Sequence, residues 1–444
     1  MANKVIFNSE YPIITQSNEL YSRSEGLIPA HTQTMAKGPS QYVNGISPKY
    51  IKRGRGSHVW DVDENEYIDY NMGIGPISLG YTYPKTDNAI IQQLKDGITF
   101  SMMHPLEVEV AEMLREIIPN AESVRYSKSG ADVTSAAIRV ARAYTGKNKI
   151  LCCGYHGWHD WYVSTIARNA GIPQAIKDLT FTFNYNDIDS VRNSIDDDTA
   201  AIILEPVVFD EPKNNFLNEL ANLCKEKNIL LIFDEMWTGF RMALGGAQEY
   251  FGITPDLATY SKAIANGMPL AVLTGKKEIM NLFDSDVFFF NTFGGEALSL
   301  AAAKATIEEM KEKDVIKYIS TQGRILIEGI KKILYNSDID FIEVKGYPFR
   351  SMLSFKETAG DPLLQKSFVQ QELFKRGILW SGFHNISFSH TDMDIEYTLN
   401  VYNEVLLMLK DVVQNNELAS SIKGIPVQPV FRKTSDFNTK PVMK

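Results

Sequence analysis

The chain has 444 residues and an ordinary globular composition, with 44% hydrophobic and 22% charged residues. A net charge of −9 and a pI of about 5.4, with Lys and Arg scattered, argue against nucleic acid or an anionic membrane surface as a partner. No apolar run approaches the ~18 residues of a membrane span, and the first residues lack a signal-peptide pattern. We therefore expect a cytoplasmic protein that acts on small molecules.

The beginning of the chain is typical of an arm followed by short strands. The stretch HVWDVDENEYIDY (58–70) alternates apolar and polar residues around a turn at Asp63, Glu64 and Asn65. This pattern predicts a β-hairpin. We assign residues 1–75 to an N-terminal arm and part of a smaller domain.

Apolar runs of strand length alternate with helix-like stretches from about residue 120 to 275. Helices are predicted from Ala131 and from Phe216, and the runs are SVRYS (123–127), KILCC (149–153), AIILE (201–205), ILLIF (229–233) and PLAVLT (269–274). Because most runs are apolar throughout rather than alternating, the strands must be covered on both faces. The pattern predicts an α/β domain with a mostly parallel central sheet flanked by helices, which we assign to residues 76–325.

The last third of the chain begins with helical patterns over residues 300–336. Strand and helix patterns then alternate over residues 340–410. We assign residues 326–414 to a C-terminal small domain, so that the two chain ends together form an α+β domain. The tail, residues 415–444, contains GIPVQPVFRK and few apolar residues, and we expect it to be extended.

The three cysteines are Cys152, Cys153 and Cys224. An odd number with two adjacent members gives no disulfide framework, which is consistent with a reducing compartment. We interpret them as packing residues rather than redox groups or metal ligands.

Polar residues follow most of the predicted strands directly. Ligands of parallel sheets bind beyond the carboxyl ends of the strands, so these residues are the candidates for chemistry. They are Lys128, Ser129 and Gly130, then Tyr155, His156 and Gly157, then Glu205, Asp234 and, after a further loop, Lys262.

Lys262 stands in DLATYSKAIANGMPLA, among small and apolar residues. It is either a surface lysine on a loop or a desolvated amine that attacks a carbonyl group. Asp234 directly follows ILLIF and either caps the next helix or binds a protonated ring nitrogen, as a pyridoxal phosphate site requires. Both alternatives stay open at this point.

Ser129, Gly130 and Ala131 lie between a predicted strand and a predicted helix. The free N–H groups and the dipole of a helix start favour an anion, and glycine allows its close approach. Tyr155 is either a ring that covers a planar cofactor or an ordinary core aromatic. A metal site in YHGWHDW is disfavoured, since this stretch supplies no third ligand at a regular spacing. Phosphate-loop and GxGxxG motifs are absent from the sequence.

Three stretches together resemble the class III pyridoxal-phosphate aminotransferases: FDEMWTGFRMALGGAQEYFGITPDL, SKAIANGMPL and NTFGGEALSLAAA. Within that family the glutamate-1-semialdehyde 2,1-aminomutase branch is the most similar in pattern, from about Ser47 to Leu409. The resemblance implies the PLP-dependent transferase fold type I, a homodimer, and pyridoxal 5'-phosphate (PLP) as cofactor. It also implies that Lys262 forms the Schiff base and moves the proton, while Asp234 keeps the pyridine nitrogen protonated.

The resemblance implies further cofactor contacts. Met236 and Tyr155 would pack against opposite faces of the ring, and Glu205 would lie near its hydroxyl edge. Ser129, Gly130 and Ala131 would bind the phosphate, and Thr292 of the neighbouring subunit would complete that site.

The sequence departs from the aminomutase pattern at four places. Ile74 in GIGP replaces a tryptophan, IPAHTQTMAKG replaces a segment with a substrate-binding arginine, His104-Pro105 replaces a Thr-Glu pair, and Ala131 replaces a threonine. The first three change the substrate side, and Ile74 is the candidate substrate contact.

We therefore predict an aminotransferase that moves an amino group between a small-molecule amino donor and a carbonyl acceptor, namely an oxo acid, an aldehyde or a keto sugar. The alternative is an intramolecular 2,1-aminomutase, or a PLP racemase or epimerase. A binding or scaffold protein without cofactor is disfavoured because Lys262 and Asp234 are both present.

Overall fold

The computed structural model of the chain describes residues 10–429. The first nine residues of the predicted arm and residues 430–444 of the predicted tail lie outside the described residues. The strands are β1 (Ile51–Arg55), β2 (His58–Asp61), β3 (Glu66–Asp69), β4 (Ser123–Ser127), β5 (Lys149–Cys153), β6 (Thr180–Thr182), β7 (Thr199–Leu204), β8 (Leu230–Asp234), β9 (Leu257–Tyr260), β10 (Ala271–Gly275), β11 (Ile342–Tyr347), β12 (Arg350–Phe355), β13 (Ile378–Leu379) and β14 (Phe383–Asn385).

Helices connect most of these strands. They are α1 (Thr15–Ser24), α2 (Pro84–Asp96), α3 (Pro105–Ile117), α4 (Gly130–Thr145), α5 (Asp160–Val163), α6 (Gln174–Lys177), α7 (Ile188–Arg192), α8 (Phe216–Lys227), α9 (Ala247–Phe251), α10 (Lys277–Met280), α11 (Ala297–Glu312), α12 (Val315–Asn336), α13 (Pro362–Lys375) and α14 (Asp392–Gln414). Within residues 10–429 none of the helices is both long and apolar enough to cross a bilayer.

The chain divides into two compact units. The first contains the described residues up to Tyr83 and those from Lys317 onward, and the second is Pro84–Ile316. Both ends of the chain therefore contribute to the first unit, and the middle of the chain forms the second.

The second unit is built on a seven-stranded sheet with the order β4-β10-β9-β8-β7-β5-β6. The strands from β9 to β6 are parallel to their neighbours, and β10 is antiparallel to both β9 and β4. The carboxyl ends of all strands except β10 therefore lie at one edge. The predicted α/β fold with a mostly parallel sheet is confirmed.

Burial explains why this sheet forms. Every residue of β7 and β8 is buried, as expected for strands that helices cover on both faces. Helix α4 packs its buried residues on this sheet, where they join one apolar cluster with residues such as Ile203 and Leu273. Helix α4 begins with a capping box between Ser129 and Asp132 and ends at Gly146, whose φ of 68° suits glycine.

Two strands of the large sheet were not predicted from the sequence. Strand β6 is three residues long, and β9, the four residues LATY, stands where the sequence was interpreted as a loop. Both are shorter than the five-residue runs that the apolar pattern detects. Strand β9 matters for function, because it makes Lys262 a residue at the end of a strand rather than a residue of a surface loop.

The first unit contains two smaller sheets. Strands β1, β2 and β3 are antiparallel and β13 joins β3 in parallel, while β11, β12 and β14 form an antiparallel sheet. The predicted hairpin is present as β2 and β3, and Glu64 in its turn has a φ of 66°. Near the end of the described chain, Ile425 exchanges backbone hydrogen bonds with Asn44.

Candidate active site

The carboxyl edge of the large sheet brings together the polar residues that the sequence placed after its strands. Ser129 follows β4, Tyr155 follows β5, Glu205 follows β7, Asp234 ends β8 and Lys262 follows β9. We call these five residues the strand-end site. They come from parts of the chain more than 130 residues apart, and the parallel order of the strands places them at one edge.

Asp234 is the most deeply buried member of the strand-end site. Its Oδ2 lies 2.7 Å from Nδ1 of His156, and both side chains are fully buried. His156 Nε2 faces the carbonyl oxygen of Cys153 at 3.2 Å, and a carbonyl group only accepts hydrogen bonds. His156 thus lies between two oxygen atoms, and its ring bridges the Asp234 carboxylate to the end of β5.

The sequence placed His156 among the strand-end candidates but did not give its partner. The pattern YHGWHDW carries no sign of an aspartate 78 residues away. Thr134 of α4 donates to the carbonyl oxygen of His156 at 2.8 Å, which fixes the histidine against the helix. The neighbouring candidate His159 lies instead with Nδ1 2.6 Å from the hydroxyl of Ser135.

Glu205 and Tyr155 form a second contact across the edge. The backbone N–H of Tyr155 donates to Glu205 Oε1 at 2.7 Å, and Glu205 is buried. The Tyr155 side chain is 54% exposed, so its ring is not an ordinary core aromatic. Partial burial and then the negative charges of Asp234 and Glu205 raise the pKa of the Tyr155 hydroxyl.

The start of α4 offers the predicted anion site. The first N–H groups of a helix have no carbonyl partner within the helix, and here they belong to Gly130 and Ala131, while the N–H of Asp132 donates to the Ser129 cap. A Cβ on Gly130 would lie 2.9 Å from the sulfur of Met236, so glycine allows this helix start to approach Met236 closely. A Cβ on Gly157 would similarly collide with Ala131.

Lys262 begins a short 3-10 helix immediately after β9 and Ser261. Its backbone has a φ of 47°, in the left-handed region that few residues other than glycine adopt. Its side chain is half-buried, and Nζ lies 3.6 Å from the centre of the Trp237 ring. Of the two alternatives for Lys262, the structure therefore does not show a solvated lysine on a surface loop.

Glu235, beside Asp234, is equally buried but points into different surroundings. Its carboxylate accepts hydrogen bonds from the Thr238 hydroxyl and from the N–H groups of Ala247 and Gln248, at the start of α9. Burial raises its pKa to about 7. Glu235 thus holds the following segment in place. The sequence Asp234-Glu235 alone does not show which carboxylate faces the candidate site and which binds the backbone.

Thr292 and Ile74 are the remaining predicted residues. Thr292 is on an exposed turn of the second unit, next to Asn291, whose amide donates to Ser127 Oγ at 3.2 Å. Ile74 belongs to the first unit and has a φ of 70°. Ile74 lines a cavity of about 470 Å³ in that unit, together with Lys37, Lys49 and several tyrosines.

The residues of the strand-end site fit PLP in their chemistry. Asp234 is a buried carboxylate that a protonated ring nitrogen would pair with, and the start of α4 supplies N–H donors for a phosphate. Lys262 supplies an amine at the same edge. Met236 packs at the start of α4, and Tyr155 exposes its ring at the same edge.

Comparisons with known proteins agree with this chemistry. Residues 42–389 match the family model described as Aminotransferase class-III. The 3-aminobutyryl-CoA aminotransferase of Cloacimonas acidaminovorans (strain Evry) is 35% identical over 90% of this chain and 99% of its own length. The glutamate-1-semialdehyde 2,1-aminomutase of Archaeoglobus fulgidus is 33% identical over 88% of this chain and 100% of its own. The structure of the PLP internal aldimine form of the FumI protein from Sphingopyxis sp. MTA144 superposes with a TM-score of 0.83 at 26% identity, covering 91% of this chain and 98% of the other.

Proposed function

The chain belongs to the class III aminotransferase family of PLP-dependent enzymes, and we propose that it transfers an amino group between two separate small molecules through Lys262. The observation that carries this proposal is the buried Asp234–His156 pair at the same sheet edge as Lys262 and the start of α4. The acceptor would be an oxo acid, an aldehyde or a keto sugar.

The residues of the chain have separate tasks in this proposal. PLP supplies a conjugated ring that takes up the electron pair left when a bond to the amino-bearing carbon breaks. Asp234, held by His156, keeps the ring nitrogen protonated, and the N–H groups at Gly130 and Ala131, with the Ser129 hydroxyl, bind the phosphate.

Lys262 holds the cofactor through Nζ and then carries the proton between the two carbon atoms that exchange it. Met236 and Tyr155 cover the ring faces, and Glu205 lies at the hydroxyl edge. On the substrate side we propose Ile74 as a contact.

The alternative is the 2,1-aminomutase reaction, which several relatives carry in their names. That reaction must retain its intermediate while the substrate turns, which needs a closing loop and charged groups that grip the substrate. His104, where the aminomutase pattern has a Thr-Glu pair, instead caps α3: its Nδ1 accepts from Leu106 N–H, and its own N–H donates to Glu107 Oε1. This favours release of the intermediate and therefore intermolecular transfer.

A half-reaction separates the two functions. With an amino donor alone, a transaminase should lose the visible absorbance of its lysine-bound cofactor and release one equivalent of oxo product. Catalytic isomerisation of glutamate-1-semialdehyde without an added acceptor would instead establish the aminomutase.

We also propose a homodimer in which Thr292 reaches the phosphate of the neighbouring subunit. Large apolar side chains near this turn and in the segment before α3 are exposed, and such surfaces mark protein interfaces. They are Phe288, Phe290, Phe293, Met102 and Met103. Light scattering should give the dimer mass, and Thr292→Ala should weaken cofactor retention; an active monomer would contradict this proposal. We propose a cytoplasmic location as well, since Cys152, Cys153 and Cys224 are buried thiols rather than disulfides.

A further inference from the structure

Trp237 has no role in the function proposed above, although it lies within the stretch FDEMWTGFR. The ammonium nitrogen of Lys262 lies 3.6 Å from the centre of its ring, well inside the ~6 Å within which the π-face of tryptophan attracts a cation. Tryptophan gives the strongest interaction of this kind among the aromatic residues.

The backbone fixes the position of the ring. Trp237 belongs to a turn in which Gly239 N–H donates to the Glu235 carbonyl at 2.9 Å, and Glu235 N–H donates to the carbonyl of Thr259 in β9 at 2.9 Å. Gly239 lies directly on the ring of Tyr260, since a Cβ there would come within 2.4 Å of that ring. The turn that carries Trp237 is thus tied to the strand that carries Lys262.

The lysine is held from its own side as well. Ser261 Oγ donates to the carbonyl of Leu270 at 2.7 Å, which links the residue before Lys262 to the segment before β10. Ala263 and Ile264, which follow the lysine, are fully buried. The backbone segments that carry the ring and the amine are therefore both tied to the sheet, which limits the positions that the two side chains can take.

We propose that Trp237 is a positioning residue that receives the Lys262 ammonium whenever the amine is released from the cofactor. This inference rests on the proposed function. In the proton-transfer step a substrate C–H bond breaks, its electron pair stays on the substrate side, and an N–H bond forms at Nζ. The amine becomes an ammonium ion, which the ring face attracts far more strongly than the neutral amine.

Trp237 thereby stabilises the protonated form of Lys262 and keeps Nζ in one place until it returns the proton. Other titratable groups at this edge are Lys128, Asp132, Asp234, His156, Glu205 and Tyr155. The carboxylates among them favour a protonated Lys262, and the Lys128 ammonium acts against it. The contribution of the ring must therefore be measured as a difference between variants.

The test uses the full chain loaded with pyridoxamine 5'-phosphate, which forms no covalent bond with Lys262. The rate of acylation of Lys262 by acetic anhydride is followed from pH 6 to 10 by peptide mass spectrometry. Only the neutral amine reacts, so Trp237→Leu should react about two- to fivefold faster near neutral pH, the factor expected for an exposed to partly buried cation–π contact. Trp237→Phe, which keeps a ring, should give an intermediate rate.

Two controls make the result specific. Trp158→Leu removes an exposed tryptophan from the segment after β5 and should leave the Lys262 rate unchanged. Other lysines in the same digest should react equally in all variants. Equal Lys262 rates in wild type and Trp237→Leu, or a uniform rise at every lysine, would overturn the inference.

The proposed function is tested separately by the visible absorbance of the PLP-loaded wild type. If that absorbance is present and the Lys262 rates do not differ, only the role of Trp237 is refuted. If the absorbance is absent, the proposed function itself is refuted.

Discussion

Each unit contains buried histidines, and these differ in their partners. In the second unit His156 faces the carboxylate of Asp234 at the strand-end site. In the first unit we define a histidine cluster, His384 and His390, whose rings lie 5.4 Å and 4.9 Å from the ring of Tyr70. Burial lowers the pKa of His384 to about 3 and that of His390 to about 4, so both are neutral.

The partners explain the difference. His384 lies against two hydroxyl groups, those of Ser351 and Tyr402, and His390 Nδ1 accepts a hydrogen bond from Ser387 N–H. A nitrogen that accepts carries no proton, so His390 cannot be an imidazolium ion in this arrangement. The comparison teaches that the partner buried with a histidine decides its role. A carboxylate partner is held in place by the ring, whereas hydroxyl and N–H partners leave the histidine neutral and structural.

The largest effect on turnover should come from Lys262 of the second unit, compared with Lys366 of the first. Lys262→Ala should abolish turnover and leave the thermal midpoint nearly unchanged, because the proton carrier is lost while the core is untouched. Lys366 in α13 is the control: burial lowers its pKa to about 8, and Lys366→Met should keep full turnover. Steady-state kinetics and calorimetry measure both. Turnover by Lys262→Ala would refute the assignment.

The next largest effect should distinguish two buried aspartates, one by the loss of kcat and the other by the loss of stability. Asp234→Asn should lower kcat about a thousandfold, ~4 kcal/mol in barrier, because an amide cannot keep the ring nitrogen protonated. Asp394 accepts from Ser57 and Thr391 and faces His58 in the first unit. Asp394→Asn should keep kcat but lose about 1–3 kcal/mol of unfolding free energy. If Asp234→Asn lowered kcat by less than tenfold, Asp234 would be a structural residue.

Protonation of the unfolded histidines should lower the unfolding free energy of the protein as the pH falls. The unfolded histidines have a pKa of 6.5 and the folded ones about 3 and about 4, so the unfolded state binds more protons. The stability from each residue is complete above pH 6.5 and is lost as the pH falls toward the folded value. The loss at pH 5 is about 2 kcal/mol for each histidine.

Two other groups act in the opposite direction over this pH range. Burial raises the pKa of Glu235 to about 7, and, although burial opposes it, Asp394 and Glu66 raise the pKa of His58. The effect of the cluster is therefore measured by urea unfolding at pH 7.5 and pH 5 as a difference between variants: His384→Gln should lose less stability in acid than wild type. An equal change in wild type and His384→Gln would disagree with a neutral, buried His384.

The smallest effect concerns the partner of Asp234. His156→Asn should lower kcat about tenfold, ~1.4 kcal/mol, because one hydrogen bond to a charged group is weakened while Asp234 remains. His159→Asn, three residues along the same segment, is the matched control and should have normal kcat. If both variants were fully active, the pair would have no part in the reaction.

The sequence by itself determined the fold class, the edge at which chemistry takes place and the residues assigned to the cofactor. Long apolar runs report burial on both faces, and the residue after such a run must lie at the edge, so Asp234 and Glu205 could be placed from local pattern alone. Lys262 was found through its unusual neighbours and the family resemblance, although the strand before it was missed.

Only the tertiary structure decided which buried groups are partners. His156 joins Asp234 across 78 residues, and Trp237 meets Lys262 across 25 residues, through the pairing of β8 with β9. Asp234 and Glu235 are neighbours with the same chemistry, yet consecutive residues at a strand end point to opposite sides. Hydrogen-bond partners depend on which backbones the packing brings within about 3 Å, and local sequence does not carry that information.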